Sequence, residues 1–147
     1  MDTQGRRIAI VDDQPTVCRA LARLLRLNGF TVDTYASGEG YLASLTERQP
    51  FCLILDLQMP GLSGFDVMRR LEAASSQVPV VAITGFDSQS ARERAQRAGA
   101  AAYLTKPVGE EDLLAAIERS TGGPPDQKAK NGSTGAQADQ ISAKEGI

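Results

Sequence analysis

Three short apolar runs, each ending in an acid or a hydroxyl, constrain this chain more than any other feature. Ile8-Ala9-Ile10-Val11 runs into Asp12 and Asp13, Cys52-Leu53-Ile54-Leu55 into Asp56, and Val80-Val81-Ala82-Ile83 into Thr84. A shorter run, Ala102-Tyr103-Leu104, leads through Thr105 to Lys106 and Pro107. Short runs with little polar alternation read as strands buried on both faces of a parallel sheet. Open parallel sheets bind ligands beyond the carboxyl ends of their strands. Three acids, a hydroxyl and an amine, distant in sequence, are therefore expected at one sheet edge.

Helical patterns fill the gaps between the runs. The first starts near Pro15, a residue suited to an opening helical turn, and shows an apolar face of Val17, Leu21, Leu24 and Leu25 before Asn28-Gly29 ends it. Thr31 to Tyr35 alternates, as an edge strand should. A helix from Ser37, a plausible N-cap, to about Arg48 follows. The loop Leu57 to Gly64 carries turn residues, and the next helix buries Phe65, Val67, Met68 and Leu71. A helix from about Ser88 to Ala98 has only Ala91, Ala95 and Ala98 on its inner face, so it is expected to bury little apolar area and to be easily displaced. The last helix opens with Glu110, Glu111 and Asp112, which favour the positive end of its dipole, and buries Leu113, Leu114 and Ile117.

Five strand–helix units make one three-layer α/β domain over residues 1–121. From Gly122 the composition turns to Gly, Ser, Gln, Lys and Ala, with only Ile141 and Ile147 large and apolar. Residues 122–147 are expected to be a flexible tail or linker, since so little apolar surface cannot offset chain entropy.

Composition narrows the chemistry. The net charge of −2 gives no global field for nucleic acid, and the arginines at 19, 23, 26 and at 92, 94, 97 read as solvated helix faces. With no histidine in the chain, neither a Ser-His-Asp nor a Cys-His site can be built from it alone. No apolar stretch is long enough to span a bilayer, and the first residues lack the apolar segment of a secretory signal. Cys18 and Cys52 read as small core residues of a reduced, cytoplasmic protein.

Carboxylates gathered at one edge repel one another unless a cation neutralises them. A hard divalent ion suits oxygen ligands, and Mg²⁺ needs only one or two carboxylates besides water and phosphate oxygens. Asp12, Asp13 and Asp56 fit that role, with backbone oxygen near Gln58. An Asp carboxylate, with an ordinary pKa of about 3.9, is ionised at neutral pH and can attack phosphorus without a general base. Lys106 then offers an ammonium and Thr84 a hydroxyl to the phosphoryl oxygens.

These residues together resemble the receiver domain of two-component response regulators. The matching stretches are Val11-Asp12-Asp13, Leu55 to Gly61, Ala82-Ile83-Thr84-Gly85 and Leu104-Thr105-Lys106-Pro107, within residues 6–120. Met59 to Gly64 and Thr84-Gly85 look most like FixJ-type receivers. The resemblance implies a flavodoxin-like (βα)5 fold with strand order 2-1-3-4-5. It implies Asp56 as phosphoacceptor, Asp12 and Asp13 as Mg²⁺ acids, and the Gln58 main-chain carbonyl as a further ligand. It makes Thr84 and Lys106 the phosphoryl contacts, Tyr103 the aromatic that changes rotamer with Thr84, and Lys106-Pro107 a cis bond. The implied partner is a sensor histidine kinase or a histidine phosphotransfer protein, with a homodimer allowed on phosphorylation. Gln14 stands where an acid often follows the Asp pair, and Phe86 and Gln58 occupy positions that in the family tune dephosphorylation.

Three readings of the whole follow, beside a fourth, a phosphate-independent binding domain, against which the complete residue set argues. One is a stand-alone receiver passing signal by protein contact or shuttling phosphate between histidine kinases, without nucleic acid or membrane. A second is a receiver cut from a longer FixJ-like DNA-binding regulator. The third, a haloacid-dehalogenase-type phosphohydrolase, also uses an Asp nucleophile but wants an acid two residues on, where this chain has Gln58.

Overall fold

Alternate residues of each apolar run go to opposite faces of one sheet. Ile8, Ile10, Cys52, Ile54, Val81 and Ile83 face one side, and Ala9, Val11, Leu53, Leu55, Val80 and Ala82 the other. The computed structural model describes residues 5–46 and 49–122. Its elements follow in the order β1 (Arg7–Val11), α1 (Pro15–Leu27), β2 (Thr31–Tyr35), α2 (Gly38–Ala43), a 3-10 turn (Ser44–Thr46), β3 (Cys52–Asp56), α3 (Gly64–Ala73), β4 (Val80–Thr84), α4 (Gln89–Arg97), β5 (Ala102–Thr105) and α5 (Glu110–Ser120). All strand pairs are parallel, in the order β2-β1-β3-β4-β5. This is the flavodoxin-like arrangement that the resemblance implies.

Two helices cover the first face, where Leu21 and Leu25 of α1 pack with Leu113 and Ile117 of α5. The second face carries Tyr41 of α2, Phe65, Val67, Met68 and Leu71 of α3, and Ala95 of α4. The outer strands are less enclosed: β2 is buried only at Val32, and β5 at no residue.

Several details differ from the sequence reading. The second helix ends at Ala43 and tightens into the 3-10 turn; Arg48, the end expected for it, lies outside the described residues, as do 123–147 of the expected tail. Gly38 and Gly40 in a six-residue helix weaken helical propagation. In α5 the buried third residue is Ala116, not Leu114, because 113, 116 and 117 share one helical face. In α4 only Ala95 is fully buried, and Arg94 lies over the Phe65 ring with 4.0 Å between guanidinium carbon and centroid. That contact ties α4 to α3 by a charge on an aromatic face.

Tyr41 carries a small internal cost. Its ring is buried and meets Tyr35 edge-on at 5.5 Å, yet its hydroxyl has no hydrogen-bond partner among the described residues. Burial raises its phenol well above the ordinary range. Tyr41→Phe keeps the ring and removes the unpaired hydroxyl, so it should stabilise the chain by about 1 kcal/mol in denaturant unfolding. A loss of that size instead would show that the hydroxyl has a partner in solution.

Candidate functional site

Strand register decides which side chains meet. Val11 pairs with Leu55, so Asp12 and Asp56 stand level on adjacent strands. Asp56 pairs with Ile83 and Thr84 with Thr105, which brings Thr84 beside Asp56 and sets Lys106 just past the next strand's end. The Lys106 backbone N–H donates to the Thr84 carbonyl at 2.8 Å, fixing that turn. The Lys106-Pro107 bond is cis, as the resemblance implies.

Carboxylate oxygens of Asp12, Asp13 and Asp56 lie within 4.8 Å of one another. Asp12 and Asp56 are each 1% exposed, Asp13 is half-buried, and Thr84 is fully buried. Among the described residues the cation held against them is Lys106, whose Nζ lies 2.9 Å from Asp12 Oδ2 and 3.5 Å from Asp56 Oδ2. The approach to Asp12 is off the hydrogen-bonding angle, so Asp12 Oδ2 has a charge beside it but no aligned donor. The better-aligned bond of that ammonium goes to Gln14 Oε1 at 2.8 Å.

Backbone amides hold the other oxygens. The Gln14 N–H donates to Asp12 Oδ1 at 2.9 Å and the Gln58 N–H to Asp56 Oδ1 at 3.1 Å. Burial pushes the Asp56 carboxyl up to about 6; the Gln58 amide opposes this, the Asp12 charge adds to it, and Lys106 opposes it. Three carboxylates against one ammonium leave an excess of negative charge in a shielded place. One buried oxygen lacks an aligned donor, and all candidate ligands are hard oxygens. A divalent cation such as Mg²⁺ fits that donor set.

Thr84 Oγ1 accepts from the Phe86 N–H at 3.0 Å, so its hydroxyl is held by the following loop. Phe86 itself is 72% exposed. Tyr103 is not part of the acidic cluster: its hydroxyl donates to Asp87 Oδ1 at 3.0 Å. The Cys18 thiol donates to the Asp12 carbonyl at 3.2 Å, and burial pushes it up, away from reactivity.

Sequence reasoning brought together Asp12, Asp13, Asp56, Thr84 and Lys106. It missed the Gln14 contact with Lys106 and the placing of Asp87 and Arg92 around Tyr103. Only the position of Asp87, three residues past Thr84, could have flagged the latter.

Comparisons with known proteins agree with this fold. TmoT, a response regulator protein of Ectopseudomonas mendocina, is 39% identical over 128 residues, covering 87% of this chain. The chain spans 58% of the length of TmoT. PilH of Pseudomonas aeruginosa is 39% identical over 113 residues, covering 76% of this chain and 93% of PilH. Among solved structures, FixJ-N is similar with a TM-score of 0.75 at 34% identity, covering 81% of this chain and 95% of its own. A receiver protein from Burkholderia phymatum reaches 42% identity with a TM-score of 0.72, covering 81% and 97%. The profile of the response regulator receiver domain matches residues 8–118, from the first strand through the last helix and across every strand end described above. That span leaves no part of the acidic edge outside the match, and the chain belongs to the response regulator receiver family.

Proposed function

We propose that this receiver accepts a phosphoryl group on Asp56 from the phosphohistidine of a sensor histidine kinase or a histidine phosphotransfer protein. The observation that carries the reading is the convergence of three carboxylates within 4.8 Å beneath one lysine ammonium. An Asp56 carboxylate oxygen attacks phosphorus, the phosphorus–nitrogen bond breaks, and its electron pair returns to the imidazole of the donor. Mg²⁺, held by Asp12, Asp13, Asp56 and the Gln58 main-chain carbonyl, would supply the positive charge that lets phosphoryl oxygens approach these acids. Lys106 turns its ammonium to a phosphoryl oxygen, and Thr84 donates its hydroxyl to another. The receiver unit is residues 1–121.

Phosphorylation adds about −1.5 to −2 of charge at Asp56. Thr84 then gives up the Phe86 amide and moves toward the phosphoryl group, and Tyr103 turns inward into the space it leaves. The altered face of β5 and α4 would signal by protein contact, including self-association. Among the described residues no helix is long and apolar enough to cross a membrane. Coverage of 93% of PilH suits a stand-alone receiver, while 58% of TmoT suits a receiver within a longer regulator, which could reach DNA through a further domain. The length of the full open reading frame separates the two.

Acetyl phosphate with Mg²⁺ should add the mass of one phosphoryl group to the intact chain, and EDTA should prevent it. Asp13→Asn should weaken Mg²⁺ binding by at least the ~10-fold typical of losing a supporting residue at a metal site. Phosphorylation at an undiminished rate in EDTA would remove the metal from the scheme.

A further inference from the structure

We infer that Asp87 is a latch that holds Tyr103 outward in the unphosphorylated chain, and that the loop carrying Asp87 couples this latch to Thr84. The inference rests on the switch proposed above and adds a positioning residue to it.

Three contacts define the latch. Tyr103 donates its hydroxyl to Asp87 Oδ1 at 3.0 Å. Arg92 donates to both oxygens of the same carboxylate, at 3.1 and 3.0 Å. The Arg92 guanidinium also lies over the Tyr103 ring, 5.0 Å from its centroid. Ring and hydroxyl are thus gripped by one ion pair, Asp87 from the β4–α4 loop and Arg92 from the first turns of α4. The bond is charge-assisted at the acceptor, which makes it stronger than one between neutral groups. It lowers the Asp87 carboxyl and contributes to raising the Tyr103 phenol, behind burial.

The coupling lies in the chain itself. The Phe86 N–H that Thr84 Oγ1 accepts belongs to the residue immediately before Asp87. While Thr84 holds that amide, the loop is fixed and Asp87 sits under the tyrosine. When Thr84 turns to a phosphoryl oxygen, the Phe86 amide loses its acceptor and the loop is free to shift. Asp87 can then part from Tyr103. Phe86, largely exposed, offers no packing to resist the shift. One local exchange of acceptors would thereby release an aromatic residue on a neighbouring strand, without any change in the sheet.

Fluorine NMR of the full chain labelled with meta-fluorotyrosine tests this, because the three tyrosines give three resonances to assign. In Asp87→Ala the Tyr103 resonance should move, without any phosphoryl mimic, toward the position the wild type takes with Mg²⁺ and beryllofluoride. Beryllofluoride should bind that variant about fivefold more tightly, since removing a restraint on the unliganded state raises the population competent to bind. Asp87→Asn, still an acceptor but neutral, should fall between. In a Tyr103→Phe background Asp87→Ala should bring no further gain. A Tyr103 resonance unchanged by Asp87→Ala, or an equal gain in the Tyr103→Phe background, overturns the latch. If Asp87→Ala moves the resonance but beryllofluoride leaves the wild-type resonance in place, the hold is supported and the phosphate-driven switch is what fails.

Discussion

Asp56→Asn should abolish labelling by phosphorylated kinase and by acetyl phosphate, and should stabilise the Mg²⁺-free chain at neutral pH. The first effect follows from chemistry. An amide oxygen carries no full negative charge and cannot form a stable acyl phosphate, and neither Asp12 nor Asp13 lies on the strand next to that of Thr84, as Asp56 does. The second follows from electrostatics. Burial, reinforced by the nearby Asp12 charge, raises the Asp56 carboxyl to about 6 against an ordinary value near 3.8. A carboxyl whose folded value lies above its unfolded value binds more protons in the folded state between those two values. Ionisation at Asp56 therefore opposes folding above pH 6, and the penalty fades as pH falls from about 6 toward 3.8. Asn should add about 1–3 kcal/mol at pH 7.5. The gain should shrink toward zero near pH 4 and should also shrink when Mg²⁺ is added, because the ion stabilises the wild-type cluster of three carboxylates more than the variant's two. Urea unfolding across pH, with and without Mg²⁺, measures all three. Full labelling of the variant would remove Asp56 as acceptor, and a stability difference independent of both pH and Mg²⁺ would remove the electrostatic account.

The parts legible in the sequence are those fixed by periodicity and burial. Ile8 to Val11, Cys52 to Leu55 and Val80 to Ile83 could be read as strands because four consecutive apolar residues need cover on both sides. Once they are strands, parallel pairing carries Asp12, Asp56 and Thr84 to one edge regardless of loop length. What was not legible depends on long, exposed side chains meeting across the sequence. Lys106 bonding Gln14, 92 residues away, leaves no periodic trace. Nor does Tyr103 bonding Asp87, since either residue alone is ordinary at its position. The early end of α2 was also hidden, because Leu45, inside the 3-10 turn, keeps a helical spacing from Tyr41 and Leu42. The Tyr103 rotamer change and the cis Lys106-Pro107 bond came from the resemblance alone.

Gly64→Ala should impair both stability and phosphorylation, although Gly64 carries no chemistry. A Cβ at this position would stand 2.4 Å from the Asp56 carbonyl oxygen and 2.8 Å from the Leu57 Cα. Both are backbone atoms, so no side chain can swing aside. Neither partner is free to retreat. Leu57 is 1% exposed and its N–H donates to the Ile83 carbonyl at 3.0 Å, so moving it drags the end of β3 and Asp56 with it. The start of α3 is pinned by Ser63, which accepts from the Asp66 N–H while Asp66 accepts from the Ser63 N–H, and by buried Phe65, Val67, Met68 and Leu71. The clash should cost about 2–3 kcal/mol, as overpacking of a close-fitted core does. Any part of it relieved by shifting Asp56 should appear as slower chemistry, since a displacement of ~1 Å at a reacting group can cost ~100-fold. Gly61→Ala is the control. Its φ of +74° strains an L-residue by about 1 kcal/mol, but its Cβ would meet only the Glu39 carboxylate, at 3.4 Å. That variant should lose stability yet keep its rate of labelling by acetyl phosphate. Wild-type labelling of Gly64→Ala would mean that α3 yields at its N-terminus without disturbing the acceptor, and the close approach of helix and strand would lose its part in holding Asp56.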